Sequence, residues 1–159
     1  MTNKIDVYID NKNQFQNQFH KERLSPELSN YILEECKSVS LKEKLEIHIY
    51  CKEELKKEEQ LHFVDMIRRN YGVDIQELLL YSEKNNLMSL ICILVGIFIL
   101  FLYLFVDIIP VLSEVILIIA WVFIWEGIYN LLFDGIKNEI YKKRLKKLTE
   151  CRILFEKQK

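Results

Sequence analysis

Apolar and polar positions alternate strictly over Lys44–Cys51, with Leu45, Ile47, Ile49 and Cys51 on one side and Glu46, His48 and Tyr50 on the other. A period of two is that of a half-buried strand. The same period runs from Lys4 to Asp10 and predicts an earlier strand. Between them lies a polar stretch, Asn11 to Arg23, rich in Asn and Gln and interrupted by Phe15 and Phe19. It reads as a loop pinned by those two rings. Ser25-Pro26-Glu27 then opens a helix, because serine accepts from the free amides of a first turn and proline at the first helical position sacrifices no hydrogen bond. Leu28, Ile32, Cys36 and Val39 recur at helical spacing. A second helix is expected over 53–71, with Leu61, Val64, Ile67 or Arg68, and Tyr71 in line and Gly72 as its stop. Asp74 and Glu77 have capping-box spacing and begin a further helix through Leu78–Leu80. The order is β-α-β-α, and two strands alone make a marginal sheet unless a second subunit or the C-terminal tail covers them.

The pattern then changes. Leu87–Val106 carries no charge over 20 residues, a helix of about 30 Å, the thickness of a bilayer core. A second apolar run, Val111–Phe133, follows a short connection. So small a chain has no soluble core able to cover both, so the two runs read as a two-helix transmembrane hairpin. The expected architecture is that hairpin with a small α+β (β-α-β-α) cytoplasmic domain and a basic C-terminal helix. The corresponding segments are 1–74, a connector and hairpin at 75–136, and a tail at 137–159.

Charge orients this arrangement. Residues 1–86 hold 13 Lys/Arg against 16 Asp/Glu, residues 87–136 hold no Lys or Arg, and residues 137–159 hold nine basic against three acidic side chains. The connection Asp107–Glu114 has no basic residue, whereas Lys84 and the tail flank the other ends. Basic residues favour the cytoplasmic side, so both termini are expected inside and the turn outside. The N-terminus has no apolar core of signal-peptide length, which leaves the first span as the membrane-targeting signal. In the tail, Lys142, Lys143, Arg144, Lys146 and Lys147 surround Ile140, Leu145 and Leu148. A basic amphipathic helix beside a span reads as contact with anionic lipid headgroups. No aromatic stacking pattern accompanies it, so no nucleic-acid partner is expected.

Candidate chemistry is sparse. Glu126 lies in the second span, about 10 Å of helix before Phe133. A carboxylate there costs several kcal/mol unless it is protonated, paired or reached by water. Asn130 and Asp134 follow at four-residue intervals, and this intramembrane polar stripe asks for a protein neighbour, most simply another copy of the hairpin. It reads either as a proton-sensitive or ion-passing interface or as a structural hydrogen bond near the inner boundary, and the second reading is favoured. Trp121, Trp125 and Tyr129 form an aromatic stripe suited to interfacial anchoring or helix packing. Gly96 and Gly127 permit close helix approach, though neither belongs to a GxxxG motif. Cys36, Cys51, Cys92 and Cys151 form no CxxC pair, which suggests reduced thiols. His20, His48 and His62 have no ligand spacing, so no metal is expected. With four glycines in the chain, a phosphate-cradling loop is nearly excluded, and no cofactor is expected.

Leu24-Ser25-Pro26-Glu27 with Tyr31-Ile32, then Leu45-Glu46-Ile47-His48-Ile49, and above all Ala120-Trp121-Val122-Phe123-Ile124-Trp125-Glu126, carry a resemblance. The chain resembles a group of uncharacterised small bacterial two-span membrane proteins with an N-terminal soluble α+β domain. In that group the Trp-x-x-x-Trp segment ends the second span and a basic helical tail follows, as Tyr141–Leu148 does here. Gly127 stands where the group's pattern has proline, and Tyr129 where it has a carboxylate, so the resemblance gives Glu126 no role. It implies a bacterial inner (plasma) membrane location. The resulting expectation is a non-enzymatic, membrane-anchored interaction or scaffold protein that self-associates through its second span and meets an unidentified cytoplasmic protein partner. The alternative is a small homo-oligomeric channel or membrane-disrupting effector gated by the cytoplasmic domain.

Overall fold

The computed structural model describes residues 2–105 and 110–157. The elements in order are β1 (Thr2–Ile9), a 3-10 turn (Lys12–Phe15), α1 (Pro26–Ser38), β2 (Lys44–Cys51), α2 (Lys57–Phe105), α3 (Pro110–Tyr129), a π-helical segment (Asn130–Asp134), α4 (Gly135–Glu150) and β3 (Arg152–Lys157). The protein is mostly helical, with one small sheet and two long apolar helices. The chain divides into two compact units, one formed by residues 1–76 with 141–159 and the other by residues 77–140. Asp107–Ile109 of the expected external turn lie outside the described residues.

The first unit is built on a three-stranded sheet in the order β1-β2-β3, parallel throughout. Parallel neighbours need a crossover, normally helical, and both crossovers here step in the same direction. Crossovers of one hand then place their helices on one face of the sheet. The burial pattern agrees. Ile5, Val7 and Ile9 of β1 and Leu45, Ile47, Ile49 and Cys51 of β2 are buried, as are Ile32 and Cys36 of α1, Phe63, Met66, Ile67 and Tyr71 of α2, and Leu145 and Leu148 of α4. The other face carries Lys4, Asp6 and Tyr8 beside Glu46, His48 and Tyr50, and Tyr8 stacks on Tyr50 at 5.0 Å.

Local signals explain the ends of these elements. Ser25 caps α1, its hydroxyl accepting from the Leu28 amide at 3.2 Å. The start of α2 uses the reverse arm of a capping box, the Lys56 amide donating to Glu59 Oε2 at 2.8 Å. Glu59 Oε1 also meets Lys12 Nζ at 2.8 Å, which ties the 3-10 turn to the helix. That hydrogen bond with Lys12 holds the Glu59 carboxyl below its ordinary range.

Four expectations need correction. The tail is not helical to its end. The helix stops at Glu150, and Arg152–Lys157 pairs with β2, with Ile47 opposite Ile153 and Ile49 opposite Phe155. The marginal two-stranded sheet is thereby completed from within the chain. Gly72 does not stop α2, for no glycine has positive φ and the helix continues. A glycine inside a helix costs only about 1 kcal/mol against alanine, and buried Tyr71, Ile67 and Met66 outweigh that. Leu61 is 70% exposed, because α2 turns Phe63 inward to stack on Phe15 at 4.1 Å. Of the two loop aromatics, only Phe15 pins the loop, and Phe19 is 89% exposed.

Because β3 completes the sheet, truncation after Glu150 is expected to loosen the whole first unit. Limited proteolysis in detergent checks this, with cleavage in 2–76 accelerating well beyond the loss of nine residues. Ile47→Ala, at a fully buried central-strand position, should cost about 2–5 kcal/mol, read as a lowered unfolding midpoint.

Candidate interaction surfaces

In the second unit, α2 and α3 approach closely at two reciprocal points. A Cβ added at Gly96 would lie 2.8 Å from the Ala120 carbonyl oxygen and 2.5 Å from Ile124 Cγ1. One added at Gly127 would lie 2.6 Å from the Ser89 carbonyl oxygen and 2.5 Å from Ile93 Cγ1. Ala120 and Ser89 are themselves buried. Each helix thus offers small residues seven apart, Ser89 with Gly96 and Ala120 with Gly127, and each pair meets the other in antiparallel order. Small residues let backbones approach where apolar surroundings give no hydrophobic drive between helices. Ser89 also settles its hydroxyl by donating to the Asn85 carbonyl at 2.8 Å.

Next to Gly127 in sequence, Glu126 is exposed, away from that seam. The Asn130 side-chain amide donates to Glu126 Oε1 at 3.1 Å, so the structure joins the first two members of the polar stripe. Asp134 is not joined to them and lies 3.9 Å from Lys137. The stripe breaks at the π-helical segment, whose wider turn no longer aligns residues four apart. Trp121 and Trp125 stack at 5.8 Å, Tyr129 stacks on Phe133 at 4.8 Å, and all four rings are exposed. Only 11% of the most apolar 18-residue window is buried in each of the two long helices, and both are long and apolar enough to cross a membrane.

The basic residues of α4 are partly absorbed into the first unit. Lys147 Nζ donates to the Ser40 carbonyl at 2.7 Å, Lys146 lies 3.7 Å from Glu150, and Lys143 is also engaged within the chain. Lys142 and Arg144 are half-exposed. Sequence reasoning missed two cations that folding brings beside these lysines, Lys44 and Arg152. Their only signal is position, each opening a strand.

A second feature invisible in the sequence is a cleft of about 690 Å³ beside β1, at the carboxyl end of the strand, where open α/β sheets place their ligands. The loop supplies the side-chain amides of Asn13, Gln14, Gln16, Asn17 and Gln18, and Tyr8, Tyr31 and Phe19 add rings. Gln14 Oε1 accepts from the Asp10 amide and Asn17 Oδ1 from the Phe19 amide, so both keep their NH2 groups as donors. Among the described residues the lining of the cleft holds one carboxylate, Glu27, and no Lys or Arg.

His48, expected on the polar face, is there but buried. Its Nδ1 meets Glu156 at 2.8 Å, linking β2 to β3, while Nε2 lies 3.7 Å from Glu46 with no hydrogen-bond partner. Burial raises the thiols of Cys36 and Cys51 and pushes that of Cys151 up to about 11. Among the described residues, no three His, Cys, Asp or Glu side chains gather to hold a metal ion. Comparisons with family models, curated proteins and solved structures find no significant match for this chain.

Gly127→Ala and Gly96→Ala should each destabilise the helix pair by about 1–3 kcal/mol through overpacking, seen as a lower thermal midpoint in detergent. Gly72→Ala, with nothing within 4 Å, should leave stability unchanged or raise it by up to about 1 kcal/mol. For the thiols, the reactive thiolate forms only as pH rises through a raised pKa. Cys36, Cys51 and Cys151 should therefore resist maleimide at pH 8 in the native protein and react after denaturation, as intact mass would show.

Proposed function

We propose that this chain is a two-pass protein of a bacterial inner (plasma) membrane. Its apolar helix pair anchors a small three-stranded α/β unit on the cytoplasmic side, where that unit acts as a non-enzymatic interaction module. The observation that carries this reading is the place of the apolar pair within the fold. Two helices with 11% of their apolar windows buried are inserted between β2 and β3 of one sheet. Strands that pair must lie on one side of a bilayer, so the chain has to cross it an even number of times between them. The basic residues of α4 then favour the cytoplasm for that side. The cleft beside β1, without a cation and dense in hydrogen-bonding amides, is the surface we assign to a protein partner. The basic residues of α4 support contact with anionic headgroups as part of this reading.

Self-association through α3 is part of the same reading. Glu126 and Asn130 are bonded to each other and turned away from the α2 seam, so in lipid they need a neighbour. The Asn130 amide has a second N–H to donate, and across two copies it can reach the other carboxylate. The same outward carboxylate favours, as a second reading, a small homo-oligomeric channel gated by the first unit.

The expected result is that the protein resists alkaline carbonate extraction, with reporters at both termini cytoplasmic and one near Ser113 external. Chemical cross-linking in membranes should give a dimer or larger species that Glu126→Leu weakens and Glu126→Gln retains. A protein released by carbonate overturns the anchor, and a strict monomer overturns self-association. Ion flux in liposomes that Glu126→Gln reduces would favour the channel.

A further inference from the structure

A groove of about 730 Å³ opens at the amino ends of β2 and β3, against the last turns of α4. Five cations line it, Lys44, Lys143, Lys146, Lys147 and Arg152, contributed by two strands and a helix that are far apart in sequence. Three carboxylates share the groove, and each already has a neighbour. Glu43 accepts from the Asn3 side-chain amide, Glu150 lies 3.7 Å from Lys146, and Glu46, the cross-strand neighbour of Arg152, lies 3.7 Å from His48 Nε2. Lys147 is held in place by its bond to the Ser40 carbonyl. Lys44 and Arg152 are exposed, and among the described residues neither has an ion-pair partner. The groove therefore carries excess positive charge, concentrated where two uncommitted cations stand beside a helix of lysines.

We infer that this groove binds the phosphate of an anionic phospholipid headgroup, with Arg152 and Lys44 as its principal contacts and the α4 lysines completing the cage. The inference rests on the membrane reading above. Arginine offers a planar fork of donors matched to phosphate oxygens, and lysine a mobile point charge. Only ten residues separate Lys143 from Phe133, the last apolar residue of the second run. In the membrane reading, so short a tether raises the local concentration of headgroup phosphate around the groove. Attraction between a basic cluster and an anionic leaflet is worth roughly a fivefold change in binding for each charge near the surface.

The test uses the full-length protein in nanodiscs of phosphatidylcholine with a minor fraction of phosphatidylglycerol. The lipid retained per protein is read by native mass spectrometry. The wild type should retain phosphatidylglycerol over phosphatidylcholine. The double variant Lys44→Gln with Arg152→Gln should lose that preference by roughly fivefold for each charge removed, and Lys44→Gln alone should lose part of it. Lys52→Gln, which removes an exposed charge at the opposite, carboxyl end of β2, should change it little. Maleimide protection of Cys151 confirms that each variant is folded. An unchanged preference in the folded double variant overturns the assignment, as does an equal loss from Lys52→Gln, which would mark diffuse charge. Retention of inorganic phosphate without any preference between the lipids also overturns it, in favour of a soluble phosphate. Carbonate extraction is scored separately. Release from the membrane sinks the anchor, whereas a retained protein without phosphatidylglycerol preference sinks only the groove.

Discussion

Pairing between β2 and β3 is the constraint from which the rest of the structure follows. β2 is the central strand, with Ile47 and Ile49 fully buried and a parallel neighbour on each side. β1 reaches it through a short helical crossover. β3 reaches it only after α2, α3 and α4, so the second crossover contains the whole apolar helix pair. Remove β3, and the sheet loses an edge, His48 loses Glu156, and Leu145 and Leu148 lose the covalent continuation that holds α4 over the core. The basic residues of α4 are thereby folded into a domain rather than left as a free appendage.

The helix pair solves a different problem. Over 87–105 α2 carries no charge on any side, so nothing in amphipathicity tells it which side to turn toward α3. Space decides instead. Gly96 and Gly127 each accept a backbone carbonyl of the opposite helix where a methyl group would collide. With the seam fixed, Glu126, Trp121 and Trp125 are left on the outside. The polar and aromatic stripes face outward because the small residues claim the inside.

Legibility followed the range of the interactions involved. β2 was readable with its bounds because alternation is written locally, and α1 because Ser25 and Pro26 mark its start. The two apolar helices were readable from length and charge alone. β3 was not, since Arg-Ile-Leu-Phe-Glu-Lys has no clean period and its partner lies about a hundred residues earlier. The inward face of α2 was misread at Leu61 because the Phe15–Phe63 stack is a tertiary contact. At the candidate sites, Glu126 and Asn130 were legible as neighbours at helical spacing. The departure of Asp134 depends on a π turn with no sequence mark. Lys44 read as an ordinary strand-end cation and Arg152 as part of a helical tail, and neither was expected beside the α4 lysines.

The late position of β3 also bears on how the chain is made. A ribosome delivers β1, α1 and β2 first, and their apolar face stays uncovered through the synthesis of both long helices. Only after β3 emerges can the sheet close. If the helix pair spans a bilayer as proposed, closure requires that both helices have crossed, since a chain stranded after one crossing leaves β3 on the wrong side. Completion of the small sheet thus reports on correct insertion. A half-inserted chain would keep an exposed Ile- and Val-rich surface, the kind of feature by which cellular proteases recognise failures.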